Sequence, residues 1–231
     1  DICKKLKEKR SNRNMRSFND QILETIEFFK EKKENEGQDK IPQFEHILVD
    51  EYQDVNSMQV EILDLLKPEN LFCVGDPRQS IFGWRGSDIS YILEFPEKHD
   101  DAEVITLTKN YRSDNNIVRF MNYCIRDLGL PDLDYTFEDD KEVKIKEFSD
   151  QLEEFDFVID KIKNSEVDNS ETFVLARTNN QLKELSQRMK NKNISHTIKE
   201  DENQEVKEGR VTLATVHSIK GMEAEMVFVI G

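Results

Sequence analysis

Short apolar bursts separated by longer amphipathic stretches set the rhythm of the 231-residue chain. His46–Val49, Leu71–Val74, Glu103–Leu107, Thr172–Ala176, Val211–Thr215 and Met226–Ile230 have the length and the apolar content of buried strands. Between them, helical stretches are predicted over Ser57–Leu66, Ser87–Phe95, Asp114–Asp127, Glu153–Lys163 and Asn180–Lys192, with Ser87 and Ser113 as N-caps. Further upstream, Ile22, Ile26 and Phe29 mark another helix, and Gly37 to Pro42 break it. Strand–helix alternation of this kind predicts βαβ units on mainly parallel sheets. The acidic region Pro131–Asp156 is poor in long apolar runs and is the expected boundary between two such sheets. Lys199–Gly209 is a second charged loop, and no internal repeat interrupts the pattern.

Composition narrows the class. Hydrophobic residues make up 36% and charged residues 35%, with a formal net charge of −15. The apolar residues are clustered enough to form a core, which excludes a disordered chain. No apolar run approaches the roughly 18 residues of a membrane span, so no membrane partner is expected. Cys3, Cys73 and Cys124 are far apart and form no CxxC pair. A disulfide framework and a zinc knuckle are both disfavoured, and a reducing, cytoplasmic setting is the default. The acidic balance argues against non-specific coating of nucleic acid. The basic cluster Lys4, Lys5, Lys7, Lys9, Arg10, Arg13 and Arg16 is read as a solvated terminus rather than a nucleic-acid contact. Asp1 rather than Met opens the chain, and it is not expected to be the natural start.

The chemistry concentrates after two of the bursts. Ile47-Leu48-Val49 runs into Asp50 and Glu51, two adjacent carboxylates at the carboxyl end of a predicted parallel strand, where such sheets bind ligands. Such a pair suits magnesium and a nucleotide: one acid holds the metal, and the other orients or deprotonates water. The alternative is an ordinary surface turn. Phe72-Cys73-Val74-Gly75 likewise runs into Asp76, and the following loop carries Gly83-Trp84-Arg85-Gly86 around the only tryptophan. Trp84 beside Arg85 could stack on a nucleic-acid base or could anchor the core.

These residues resemble the UvrD/Rep-type superfamily 1 DNA helicases. The matching blocks are LVDEYQDVN (Leu48–Asn56), VGDPRQSIFGWRGSD (Val74–Asp88), LTKNYRS (Leu107–Ser113) and VTLATVHSIKGMEAEMVFVIG (Val211–Gly231), in the family's order. TFVLARTNNQLKELSQRM (Thr172–Met189) is similar to the strand and helix of the second motor domain. The resemblance implies an α/β fold of RecA-like P-loop NTPase motor domains, with parallel sheets flanked by helices. It divides the chain into a helical segment over 1–45, the end of an inserted subdomain, the C-terminal part of a first motor domain over 46–108, and a C-terminally truncated second one over 109–231. ATP and Mg2+ are the implied cofactors. Asp50 would assist magnesium, and Glu51 beside it would serve both the metal site and, as general base, the water. Gln79 would sense the γ-phosphate, Tyr111 would stack on adenine, Arg112 would reach the γ-phosphate, and Glu223 would contact ribose. Trp84 would stack on a base of single-stranded DNA with Arg85 beside it, and Thr215 and His217 would lie along the DNA backbone. His217 as an ordinary loop histidine and Tyr111 as a core residue are the competing assignments.

Two family elements, the phosphate-cradling loop and the last motif, are expected to lie outside this sequence. No GxxxxGKS/T occurs among the eight glycines, so the loop that cradles the phosphates is not among these residues. In the family that loop precedes the DEYQD block, and a last motif with a second arginine follows the final strand. Only Lys199–Gly209 stands where large members carry a long insertion. The expectation is a fragment or a compact relative whose motor needs a further N-terminal part. The intact protein would translocate on single-stranded DNA and unwind duplex in repair or replication, usually 3′ to 5′ in this family, while this chain alone would not be an active ATPase. The alternative is a non-catalytic helicase-like module that holds single-stranded DNA or a repair partner. A helicase–nuclease component is weaker, because no further carboxylate cluster lies beside a lysine.

Overall fold

The computed structural model describes residues 2–13, 15–136, 142–201 and 204–231. Parts of the Pro131–Asp156 region and of the Lys199–Gly209 loop, and the side chains of Lys4 and Lys7, lie outside the described residues. The chain divides into two compact units, 1–141 and 142–231. Residues 109–136 thus lie in the first unit, whereas the sequence reading joins position 109 onward to the second.

The first unit opens with α1 (Ile2–Ser11) and α2 (Phe18–Glu36). Ser17 and Asp20 form a reciprocal capping box at the start of α2: the Ser17 hydroxyl accepts the Asp20 N–H, and the Asp20 carboxylate accepts the Ser17 N–H. Arg10 and Arg16 of the basic N-terminal cluster have acidic partners, Arg10 3.6 Å from the Asp20 carboxylate and Arg16 3.0 Å from Glu24. The chain then forms a parallel βαβ unit from β1 (His46–Val49), α3 (Ser57–Leu66) and β2 (Asn70–Cys73). Asn56 caps α3 through a second box with Gln59. α2 packs against α3, fastened by the Gln38 amide on the Leu65 carbonyl at 2.8 Å. The strand register pairs Val49 with Cys73, so both strands end at the same edge. One face of the pair is half-buried through Ile47, Val49, Leu71 and Cys73, and burial pushes the Cys73 thiol up to about 11. The other face leaves Leu48 73% exposed.

Two predicted elements of this unit are corrected. Glu103–Leu107 forms no strand, and Leu107 is 84% exposed. An apolar run becomes a strand only where a neighbour completes its hydrogen bonds, and among the described residues none pairs with it. The short parallel pair β3 (Lys109–Asn110) and β4 (Asp134–Tyr135) forms just beyond it. The helix predicted over Ser87–Phe95 is two single turns, α4 (Ser90–Leu93) and α5 (Phe95–Lys98). Pro96 lacks the N–H that would continue the α4 ladder, and it sits instead in the first turn of α5, where that N–H is not needed. Ser87 does not cap a helix. Its hydroxyl donates to the Asp54 carbonyl at 2.6 Å. α6 (Asn115–Ile125) follows Asp114 rather than Ser113 at the N-cap position.

The second unit is a four-stranded parallel sheet in the order β6-β7-β5-β8, from β5 (Thr172–Ala176), β6 (His196–Lys199), β7 (Val211–Thr215) and β8 (Met226–Ile230). Val174, Val211 and Leu213 of the sheet share one buried core with Phe155 and Ile159 of α7 (Gln151–Lys163) and with Leu182, Leu185 and Met189 of α8 (Asn179–Asn191). The edge strand β6 has a single aliphatic residue, Ile198, and its sequence carries no strand signal of its own.

α7 and α8 are also joined by a two-pronged ion pair. Arg188 Nε and Nη2 donate to the two Asp156 carboxylate oxygens at 3.0 and 2.5 Å. These hydrogen bonds hold the Asp156 carboxyl below its usual range. A depressed folded-state pKa gives stability that is present at neutral pH and disappears as pH falls through the folded value. Arg188→Leu should therefore lower the urea midpoint at pH 7, with the deficit shrinking as pH falls below the ordinary aspartate pKa of about 3.9. Urea titrations across that range check this. A deficit that does not change with pH would assign the Arg188 contribution to packing of its alkyl stem.

Candidate functional site

The carboxyl edge of the β1–β2 pair gathers the first group of candidate residues. Val74 N–H donates to the Val49 carbonyl at 2.8 Å and Tyr52 N–H to the Val74 carbonyl at 2.9 Å, extending the ladder one step past the strands. The chain turns between these bonds, and Glu51 sits in the left-handed region at φ +52°. For a residue with a side chain this costs about 1–3 kcal/mol, a strain that collects at functional sites. The turn is held by Glu51 N–H on the Asp50 carboxylate at 2.8 Å and by Asp54 N–H on the Glu51 carbonyl at 2.8 Å. Tyr52 is buried beneath it in edge-to-face contact with Phe95, and burial pushes its hydroxyl up to about 12.

The second turn starts one step after β2. Gly75 leaves no room for a side chain, because a Cβ there would stand 2.5 Å from Gln53 Oε1 and 3.0 Å from the Tyr52 nitrogen. Asp76 caps the short turn Pro77–Gln79: its carboxylate accepts the Arg78 N–H at 3.0 Å and the Gln79 side-chain amide at 3.1 Å. Arg78 also contacts this carboxylate and donates to the Pro131 carbonyl.

The loop carrying the tryptophan is tied at both ends to the first turn. Ser80 Oγ donates to the Gln53 carbonyl at 3.1 Å, Ser87 Oγ bonds the Asp54 carbonyl, and Asp88 N–H donates to the Val55 carbonyl at 3.2 Å. Phe82 is the buried aromatic of this loop, and Trp84 is 65% exposed, which rules out the core-anchor assignment. The Arg85 guanidinium lies between them, 4.6 Å from the Phe82 ring centre and 4.8 Å from that of Trp84. Gly86, at φ +91°, lets the chain turn back.

Asp50, Glu51 and Gln79 are thus brought to one edge, with Trp84 and Arg85 on an attached loop. Tyr111 and Arg112 follow β3 in the same unit, with Tyr111 68% exposed rather than in a core. The Asn110 side chain accepts the N–H groups of Arg112 and Ser113 at 2.9 and 2.8 Å. This small turn sets the backbone that carries the arginine. Sequence reasoning passed over Asn110, although an Asn two residues before Arg112 is a turn signal. Thr215, His217 and Glu223 belong to the second unit. Thr215 ends β7 and exchanges hydrogen bonds with the buried Ser218, whose hydroxyl also reaches the Lys199 carbonyl. Ser218 was likewise not foreseen. Glu223 lies exposed in the connection to β8.

The donor set fits magnesium with a nucleotide. Asp50 and Glu51 offer hard oxygen ligands, and among the described residues no group of three or more His, Cys, Asp or Glu forms an all-protein cage. Magnesium is commonly held by one or two carboxylates together with substrate phosphates.

An α/β chain with adjacent acids at the ends of neighbouring parallel strands falls in the class of nucleotide-binding domains. Comparison with known families makes this specific. Residues 1–100 match the UvrD/REP helicase N-terminal domain, and residues 105–203 match the UvrD-like helicase C-terminal domain. The chain belongs to the UvrD/Rep-type helicase family, and its fold is RecA-like. It is 34% identical over 187 residues to the ATP-dependent DNA helicase PcrA of Staphylococcus epidermidis, an alignment covering 78% of this chain and 24% of that protein. It is 41% identical over 110 residues to the protein of the same name from Leuconostoc citreum, and 43% identical over 113 residues to that from Staphylococcus aureus. These two alignments each cover 47% of this chain and 15% of the relative. The chain spans about a quarter of the length of the first of these relatives. No helix among the described residues is long and apolar enough to cross a membrane.

Proposed function

We propose that this chain is the acid-and-arginine portion of an ATP-driven motor that translocates on single-stranded DNA and unwinds duplex. The observation that carries the reading is the shared edge of β1 and β2, where Asp50 and Glu51 stand beside the Asp76–Gln79 turn. Asp50 would hold magnesium, which when bound draws the phosphates together and offsets their charge. Glu51 would orient the attacking water and take its proton. Gln79 would meet the γ-phosphate side of the site, and the Arg112 guanidinium would offset charge developing on the transferred phosphoryl group. Tyr111 would stack on adenine and Glu223 would bind ribose. Trp84 would stack on a base beside Arg85, while Thr215 and His217 would follow the DNA backbone. The family-model boundary between residues 100 and 105 supports the assignment of 46–108 to a first motor domain and 109–231 to a second.

These 231 residues should bind nucleotide weakly and not turn it over, because the phosphate-cradling GxxxxGKS/T is not among them. Calorimetry with magnesium and ATP checks this, and tight binding would reveal a phosphate loop of another sequence. An in-frame GxxxxGKS/T upstream of Asp1 in the coding sequence would support the motor, and a start codon immediately before Asp1 would support the competing reading. That reading is a binding module without catalysis, favoured by the exposure of Trp84, which needs no nucleotide to meet a single strand.

A further inference from the structure

We infer that Gln53 is a positioning residue that couples the general base to the turn carrying the phosphate sensor. This rests on the motor reading above. Gln53 is 1% exposed, and its side-chain amide reaches both turns of the site. Its Nε2 donates to Glu51 Oε2 at 2.5 Å, and its Oε1 accepts the Asp76 N–H at 2.9 Å. Its own carbonyl accepts the Ser80 hydroxyl at 3.1 Å.

The orientation of this amide is fixed by chemistry. An ionised carboxylate only accepts hydrogen bonds and a backbone N–H only donates one, so the two ends of the amide cannot exchange places. Rotating it would set oxygen against oxygen and nitrogen against N–H. The neighbouring glycine is part of the same device, because a Cβ at Gly75 would collide with Gln53 Oε1. Beyond Asp76 the connection continues, since the Asp76 carboxylate accepts the Gln79 amide at 3.1 Å. Glu51, Gln53, Asp76 and Gln79 therefore form one unbroken path. Along it, a displacement of Gln79 moves the Asp76 backbone and with it the amide that aims the Glu51 carboxylate. Glu51 sits in a left-handed conformation that its own backbone does not favour, so its direction depends on such external bonds. A side chain of this kind touches no substrate and acts through the acid it holds.

Two variants separate positioning from simple support. Gln53→Glu keeps an oxygen for the Asp76 N–H but sets a second carboxylate against Glu51, where two acids must share a proton. Gln53→Met removes both bonds. In the intact protein, DNA-stimulated ATP hydrolysis by Gln53→Glu should lose about 10- to 100-fold in kcat with little change in KM, the range typical of outer-shell partners. Hydrogen exchange read by mass spectrometry on the Val74–Ser80 peptide should stay at the wild-type level in Gln53→Glu and rise in Gln53→Met, with strand amides of β1 unchanged in both as the check on folding. Wild-type kcat in Gln53→Glu would overturn the positioning role while leaving the motor reading intact. Unchanged exchange in Gln53→Met would overturn the bridge itself. Absence of ATP turnover in the wild type would remove the motor reading and this role with it.

Discussion

Glu51→Gln should abolish all but a trace of ATP turnover by the intact protein, a loss of about 10²–10⁴-fold, the usual contribution of a positioned general base. The substitution keeps the size of the side chain and leaves the β1 ladder and the Asp50 carboxylate in place. It removes the atom that would accept the proton of water. Binding of magnesium and nucleotide should survive, because Asp50 keeps its carboxylate for the metal and the new amide keeps an oxygen. Steady-state hydrolysis together with fluorescent-nucleotide binding measures both quantities. Loss of binding in parallel with turnover would show that Glu51 serves the metal rather than the water.

The second large effect is on DNA. With a net charge of −15 the chain gains little from long-range attraction to a polyanion, so affinity must come from short-range stacking and a few local cations. Trp84 is exposed on a loop pinned at both ends to the acidic turn, with Arg85 against its ring. Trp84→Ala should cost roughly 1–3 kcal/mol of single-strand affinity, the value of one stacked base. The slope of affinity against salt should barely change, since no phosphate contact is lost. Arg85→Ala would reduce that slope if its guanidinium reaches a phosphate. Fluorescence anisotropy over a salt series, on wild type and both variants of the intact protein, resolves these cases. Equal affinities for wild type and Trp84→Ala would move the DNA contact elsewhere.

The strands that position the acids were legible because each packs its apolar residues into a short burst that ends abruptly in a carboxylate. β1, β5, β7 and β8 match the expected spans, and β2 is shifted by a single residue. The same signal misled at Glu103–Leu107, since a burst reports the burial a segment could use and not whether a neighbour pairs with it. β6 went unseen for the opposite reason: an edge strand beside β7 needs only one core residue, and its ladder bonds leave no mark in the sequence. Pro96 was visible, and its effect on the Ser87–Phe95 helix follows from its missing N–H.

Within the site, the sequence identified residue types that do chemistry and overlooked those that hold them. Gln53, Asn110 and Ser218 bond to backbone or to another functional side chain, and their roles appear only once two turns distant in sequence are brought together. Gln53 lies 23 residues from its Asp76 partner. No local pattern encodes that pairing. Trp84 shows the reverse case, where composition left core and surface equally open and the fold decided for the surface.

The most direct test of the motor reading is the rate of ATP hydrolysis by the intact protein with and without single-stranded DNA. The account predicts turnover that rises when the single strand is added and that collapses in Glu51→Gln. DNA binding with no nucleotide turnover under either condition would contradict it and leave a binding module in its place.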